Sequence, residues 1–237
     1  MEKQVSTKQS VRIQTSVLNG LEKKALLWLA ERQPKWADSD MLTFIGFIGA
    51  IIIALGYILS NYNVHFLWLS SLGFIINWYG DSLDGTLARY REQQRPVYGF
   101  YLDHTMDAIN ETFMFMGVGL SPFMRFDLSC VLLVIYLMLT LNVSMNAHLK
   151  GEFRLTYAKL GPTEFRLICI ILNAVLVFVQ PLRTWALELP WFTSTLELHA
   201  LDLIGAFILL VLVLIYIVTI LQDARYYARI DPKHKDE

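Results

Sequence analysis

From Met41 to Ser60 the chain runs for twenty residues without a charged side chain. A helix of that length is about 30 Å long, the thickness of a bilayer's hydrocarbon core. In lipid each backbone N–H and C=O must find its partner within the segment, so such a run is expected to be an α-helix. Five more apolar stretches follow, near His65–Ala88, Gly99–Leu120, Leu128–Met145, Phe165–Val179 and Leu201–Leu221. At 55% hydrophobic residues the chain is too apolar for an ordinary soluble domain. The predicted fold is an all-α integral membrane protein with six transmembrane helices.

The remaining segments set the boundaries and the orientation. Met1–Ser16 is polar and reads as a loose tail. Val17–Gln33 has helical periodicity, with Val17, Leu18, Leu21, Ala25, Trp28 and Leu29 on one side, and Pro34 ends it. Two readings of this amphipathic N-terminal helix stand: it lies on the membrane surface with Trp28 and Trp36 at headgroup level, or it docks on the protein. Asp38-Ser39-Asp40 offers caps for the first span. The expected organisation is a tail and juxtamembrane helix over 1–40, a transmembrane catalytic domain over 41–222 and a tail over 223–237. No cleavable leader is visible, so the first apolar run is read as a retained span. Of the basic residues, Arg125 and Arg183 alone fall on one side of the predicted membrane. The positive-inside rule then puts both termini in the cytoplasm, and the small chain suggests a bacterial inner membrane. A net charge of −1 gives no basic surface for nucleic acid. Cys130 and Cys169, both within apolar runs, read as small core residues and not as a disulfide.

Four aspartates stand where lone carboxylates would be expensive. Asp81 and Asp84 are three residues apart at the end of one apolar run; Asp103 and Asp107 are four apart at the start of the next. Both spacings put the side chains on one face of a helix. A short basic turn makes the two helices antiparallel neighbours, so the acids can converge on one pocket. An ionised acid at membrane depth costs at least about 2.5–3.5 kcal/mol, and a shared divalent metal would compensate four of them. All-oxygen ligands suit Mg2+ or Mn2+, and no thiolate or paired-histidine pattern points to zinc. Gly85 and Gly99 remove side chains where a ligand or another backbone comes close.

The stretch Asp81-x-x-Asp84-Gly85-x-x-Ala88-Arg89, followed by Gly99-x-x-x-Asp103-x-x-x-Asp107, resembles the signature of the CDP-alcohol phosphatidyltransferase family. Its one departure is a linker about one residue longer than usual, which a surface turn tolerates. The resemblance implies transfer of a substituted phosphate from a CDP-linked donor, CDP-diacylglycerol or a CDP-aminoalcohol, to an alcohol acceptor in the lipid bilayer, with release of CMP in phospholipid synthesis. It implies two Mg2+ or Mn2+ ions on Asp81, Asp84, Asp103 and Asp107, with Asp107 also the general base. It gives Gly85, Ala88 and Gly99 to the nucleotide and Arg89 to a donor phosphate, and it implies a homodimer.

Weaker candidates surround this core. Asn77, Asn110 and Glu111 lie one turn from the acids and either line the acceptor pocket or bond between helices. His104 points away from the acid face and reads as support or packing beside Asp103. Leu102-Asp103-His104 and Gly161-Pro162-Thr163-Glu164 are similar to stretches of the choline and ethanolamine phosphotransferase branch. Glu164 would then sit near an ammonium headgroup; the competing reading is a capped helix start. Two rival functions share the acids: a divalent-cation transporter and a metal-dependent CDP-lipid hydrolase.

Overall fold

The computed structural model describes residues 11–13, 18–150, 152–154, 161–191 and 194–232 of the 237. A short strand β1 (Val11–Ile13) precedes α1 (Asn19–Glu31), α2 (Ser39–Leu59), α3 (Leu67–Tyr90), α4 (Pro96–Gly119) and α5 (Phe126–Lys150). There follow β2 (Glu152–Arg154), α6 (Pro162–Phe178), the five-residue α7 (Gln180–Thr184), β3 (Ala186–Trp191), β4 (Ser194–His199) and α8 (Ala200–Ile230). β1 pairs in parallel with β2, and β3 with β4 as an antiparallel hairpin. Thus the segment between the fifth and sixth apolar runs carries a helical turn and a hairpin, and part of the polar N-terminal stretch is a strand. The rest of that predicted tail lies outside the described residues, as does most of the connection after α5.

Each predicted apolar run contains a long helix. Three of these helices, Ser39–Leu59, Phe126–Leu149 and Ala200–Ile230, are long and apolar enough to cross a membrane by length and composition. α3 and α4 carry the acids, and α6 has 17 residues. The last helix continues to Ile230, beyond the predicted boundary at 222.

The centre of the fold is a close seam between α2 and α3. Asp38 caps α2, its carboxylate accepting from the Met41 N–H at 2.8 Å. From there Gly46 lies against Gly80: a Cβ on Gly80 would stand 2.2 Å from the Gly46 nitrogen and 2.4 Å from the Leu42 carbonyl oxygen. Gly49 and Gly73 repeat this backbone approach further along. Small residues at such spacing let two membrane helices approach until backbone meets backbone. Polar side chains then bond across the seam, Ser70 to the Ile53 carbonyl and Asn77 to the Gly46 carbonyl, both at 2.9 Å.

α1 docks on α3 through Leu26 and Ala30, which join Leu42, Leu83 and Leu87 in a buried cluster. Gln33 donates to the Tyr79 hydroxyl at 2.7 Å, and the Trp78 indole donates to Glu22 at 3.1 Å. Of the stripe read from the sequence, Leu29 packs against this cluster, whereas Leu21, 71% exposed, and Trp28, 55% exposed, face outward. The helix therefore has two apolar edges, and the narrower one holds it to the protein. The longer linker is absorbed by a turn in which Glu92 takes φ 55°, with the Gln93 N–H returning to the Ala88 carbonyl. This is a Schellman-type helix end, with glutamate where glycine is usual.

Candidate active site

α3 and α4 bring Asp81, Asp103 and Asp107 together. Each offers a carboxylate oxygen, and the three oxygens lie within 4.8 Å of one another. Oxygens sharing one Mg2+ at about 2.1 Å are at most about 4.2 Å apart, so small rotamer shifts would let these three hold a common divalent ion. The donor set is all oxygen, as such an ion requires. Asp103 is half-exposed at the mouth, whereas Asp81 is mostly buried.

Asp84 stands apart from this group. Its carboxylate accepts the Thr43 hydroxyl of α2 at 2.6 Å and the Gly85 N–H, while its carbonyl accepts from Ser39 at 3.0 Å. The expected four-acid convergence is thus three acids plus one tied to α2. The helix rotation is what the spacing demands; the neighbour that captures the side chain comes from α2.

Arg166, on the first turns of α6, was counted in the sequence only among cytoplasmic-side charges. Its Nη2 donates to Asp81 and its Nε to Asn77 Oδ1 at 2.9 Å. A cation just inside an apolar run was the available signal, because such a residue is expected to face a polar interior. Thr43 had no comparable signal.

Gly85 and Gly99 have little protein to make room for. A Cβ on Gly99 would meet nothing within 4 Å; on Gly85 its nearest contact would be Arg89 Nη1 at 3.3 Å. Arg89 itself is exposed and donates to Thr86 Oγ1 at 3.1 Å. Ala88 lines a cleft of about 290 Å³ with Asp38, Ser39, Asp40, Leu87, Arg91, Gln93 and Arg95.

The remaining candidates divide. Asn77 and Glu111 adjoin the acid group; His104 stands at its edge, its Nδ1 3.9 Å from Asp103 Oδ2 while donating to the Phe100 carbonyl at 2.9 Å, and its ring lies 4.1 Å from that of Phe100. Glu164 is buried, accepts the Gly161 N–H at 3.0 Å as the helix cap and takes the Leu18 N–H at 2.8 Å, the contacts that the capped-helix reading expects.

Residues 36–228 match the family model for CDP-alcohol phosphatidyltransferase. The chain belongs to the CDP-alcohol phosphatidyltransferase family. The match covers both halves of the acid motif, the seam beneath it and the helix that supplies Arg166. A phosphatidylinositol phosphate synthase of Cutibacterium acnes is similar over 81 residues at 37% identity. That alignment takes in 34% of this chain and 37% of the relative, so the similar stretch is little more than a third of the relative's length.

Proposed function

We propose that this protein is a CDP-alcohol phosphotransferase of phospholipid synthesis. An alcohol oxygen attacks the β-phosphorus of a CDP-linked donor, the bond from that phosphorus to the bridging oxygen breaks, and CMP leaves. Asp107 takes the hydroxyl proton. Asp81, Asp103 and Asp107, with Asp84 within reach of the same helix face, are the residues to hold Mg2+ or Mn2+. A bound divalent ion would offset the negative charge of the diphosphate and the leaving phosphate. The convergence of three carboxylates from two helices within 4.8 Å carries this reading.

The nucleoside end has room beyond the acids. Asp81, Asp84 and Ala88 follow one stripe of α3, and the cleft at Ala88 lies about 10 Å along the axis from Asp81. Arg89 at its edge has the planar guanidinium that pairs well with phosphate. On this reading α2, α3, α4, α5, α6 and α8 all cross a bacterial cell membrane, with both termini cytoplasmic and α1 at the surface. The protein works as a homodimer.

The test is purified protein with Mg2+ or Mn2+, offered CDP-diacylglycerol, CDP-choline or CDP-ethanolamine with a panel of alcohols, and CMP as readout. CMP that requires both metal and alcohol is expected, and Asp107→Asn should fold yet release none. CMP without an alcohol would make the protein a hydrolase; metal flux without CMP would make it a transporter.

A further inference from the structure

A second polar layer lies beneath the acids, and the phosphotransfer step leaves it unused. Asn77 precedes Asp81 by one turn of α3, and Glu111 follows Asp107 by one turn of α4. Because the two helices run antiparallel, both lie on the same side of the acid group, about 6 Å deeper. Arg166 bridges the two levels, one nitrogen on Asp81 and another on Asn77.

Two charged groups in this layer are incomplete. Arg166 Nη1 and Glu111 Oε2 are buried with no hydrogen-bond partner among the described residues, and Asn110 Oδ1 is a third such atom. The guanidinium and the Glu111 carboxylate are near enough for each to feel the other's charge, yet among the described residues no ion pair joins them. The Tyr136 hydroxyl of α5 adjoins the same group, within electrostatic range of Glu111, Asp107, Arg166 and Asp81. Buried charged atoms without partners are expensive and rare in finished structures. One N–H donor and one carboxylate acceptor, both left open in this buried layer, are what a ligand offering both kinds of group would complete.

We infer that Arg166 and Glu111 recognise the acceptor alcohol, and that this acceptor is a small molecule of no net charge: a zwitterionic amino-acid alcohol or a neutral polyol. The inference rests on the proposed phosphotransferase activity. With the reacting hydroxyl at Asp107, the acceptor's second polar group reaches one turn deeper. A phosphorylated alcohol fits poorly, since its net negative charge would face the Glu111 carboxylate with only Arg166 Nη1 open to answer it. Diacylglycerol fits poorly too: its ester oxygens accept but cannot donate, which leaves Glu111 Oε2 unpaired. The lipid tails therefore enter on the CDP donor.

The experiment gives the full-length protein CDP-diacylglycerol and Mg2+ with L-serine, myo-inositol or glycerol, and in parallel glycerol 3-phosphate or inositol 1-phosphate. A further arm pairs CDP-ethanolamine with diacylglycerol. The best uncharged polar acceptor should exceed each phosphorylated one in kcat/KM by about tenfold, the worth of one hydrogen bond to a charged group. Serine against the polyols separates the two sources. Glu111→Gln should raise KM for that acceptor by about tenfold, leave KM for the donor unchanged and speed the phosphorylated acceptors. Preferred use of a phosphorylated alcohol or of diacylglycerol overturns the inference while leaving the phosphotransferase reading intact. CMP from no acceptor at all overturns both. Equal changes in donor and acceptor KM for Glu111→Gln would reduce Glu111 to a structural residue and overturn its assignment.

Discussion

Gly99 illustrates how one residue separates a site from a scaffold. Glycine inside a helix is usually a liability of about 0.5–1 kcal/mol relative to alanine. The seam glycines answer that liability with backbone contact, whereas a methyl on Gly99 would touch nothing within 4 Å. If the space belongs to the donor, Gly99→Ala should melt at the same temperature or slightly higher and release CMP much more slowly. Unchanged activity would return Gly99 to an unused position. The acid residues were legible because spacing of three and four fixes a helix face. Asp84 was legible as a member of that face but not as the partner of Thr43, since the hydroxyl comes from a residue 41 positions away. Arg166 closes a connection that also carries Lys150, Arg154 and Lys159, where a membrane anchor and a buried ion-pair partner look alike by charge, so its place just inside the apolar run was the one signal.

Among elements, the α2–α3 pair carries the strictest requirement. A Cβ on Gly80 would press on backbone atoms of Gly46 and Leu42, which cannot rotate away as a side-chain tip could. Gly80→Ala should therefore destabilise the protein by about 1–3 kcal/mol, the usual range for overpacking, or more if the helices part. A thermal melt in detergent would register this as a lower midpoint, and Gly20→Ala, with nothing within 4 Å, serves as the control. Because Asp81 follows Gly80 directly, parting the seam would also displace Asp81 from Asp103 and Asp107. Apolar runs made each helix legible. They could not reveal which edge of α1 faces the protein, because Leu26 and Ala30 form a stripe no more apolar than Leu21 and Trp28. The hairpin was missed because a segment with Pro181, Trp185, Pro190 and Trp191 reads as a loop unless its pairing partner is known.

At the scale of the whole molecule, charge and geometry bear on the same question of orientation. The acids lie in the last turns of α3 and the first turns of α4, so they flank the turn bearing Arg91 and Arg95. That turn is fastened to the end of α1 and the start of α2. Arg91 donates to the carbonyls of Gln33, Pro34 and Ala37, and Arg95 pairs with Asp40 while stacking on Tyr98. The hairpin β3–β4 follows α6 and α7, and it lies across the membrane from the N-terminal segment if α2 through α6, an odd number of helices, all cross. Its two carboxylates, Glu188 and Glu197, face each other across the strands and favour water around them. In a background with Cys130 and Cys169 replaced by alanine, Gln93→Cys and Glu188→Cys should then report opposite sides. A membrane-impermeant maleimide added to intact cells should label Glu188→Cys, and Gln93→Cys only after permeabilisation. Labelling of Gln93→Cys in intact cells would invert the orientation. Labelling of both would leave fewer crossings between them than six spans require, and would put the acid group out of reach of a cytoplasmic nucleotide.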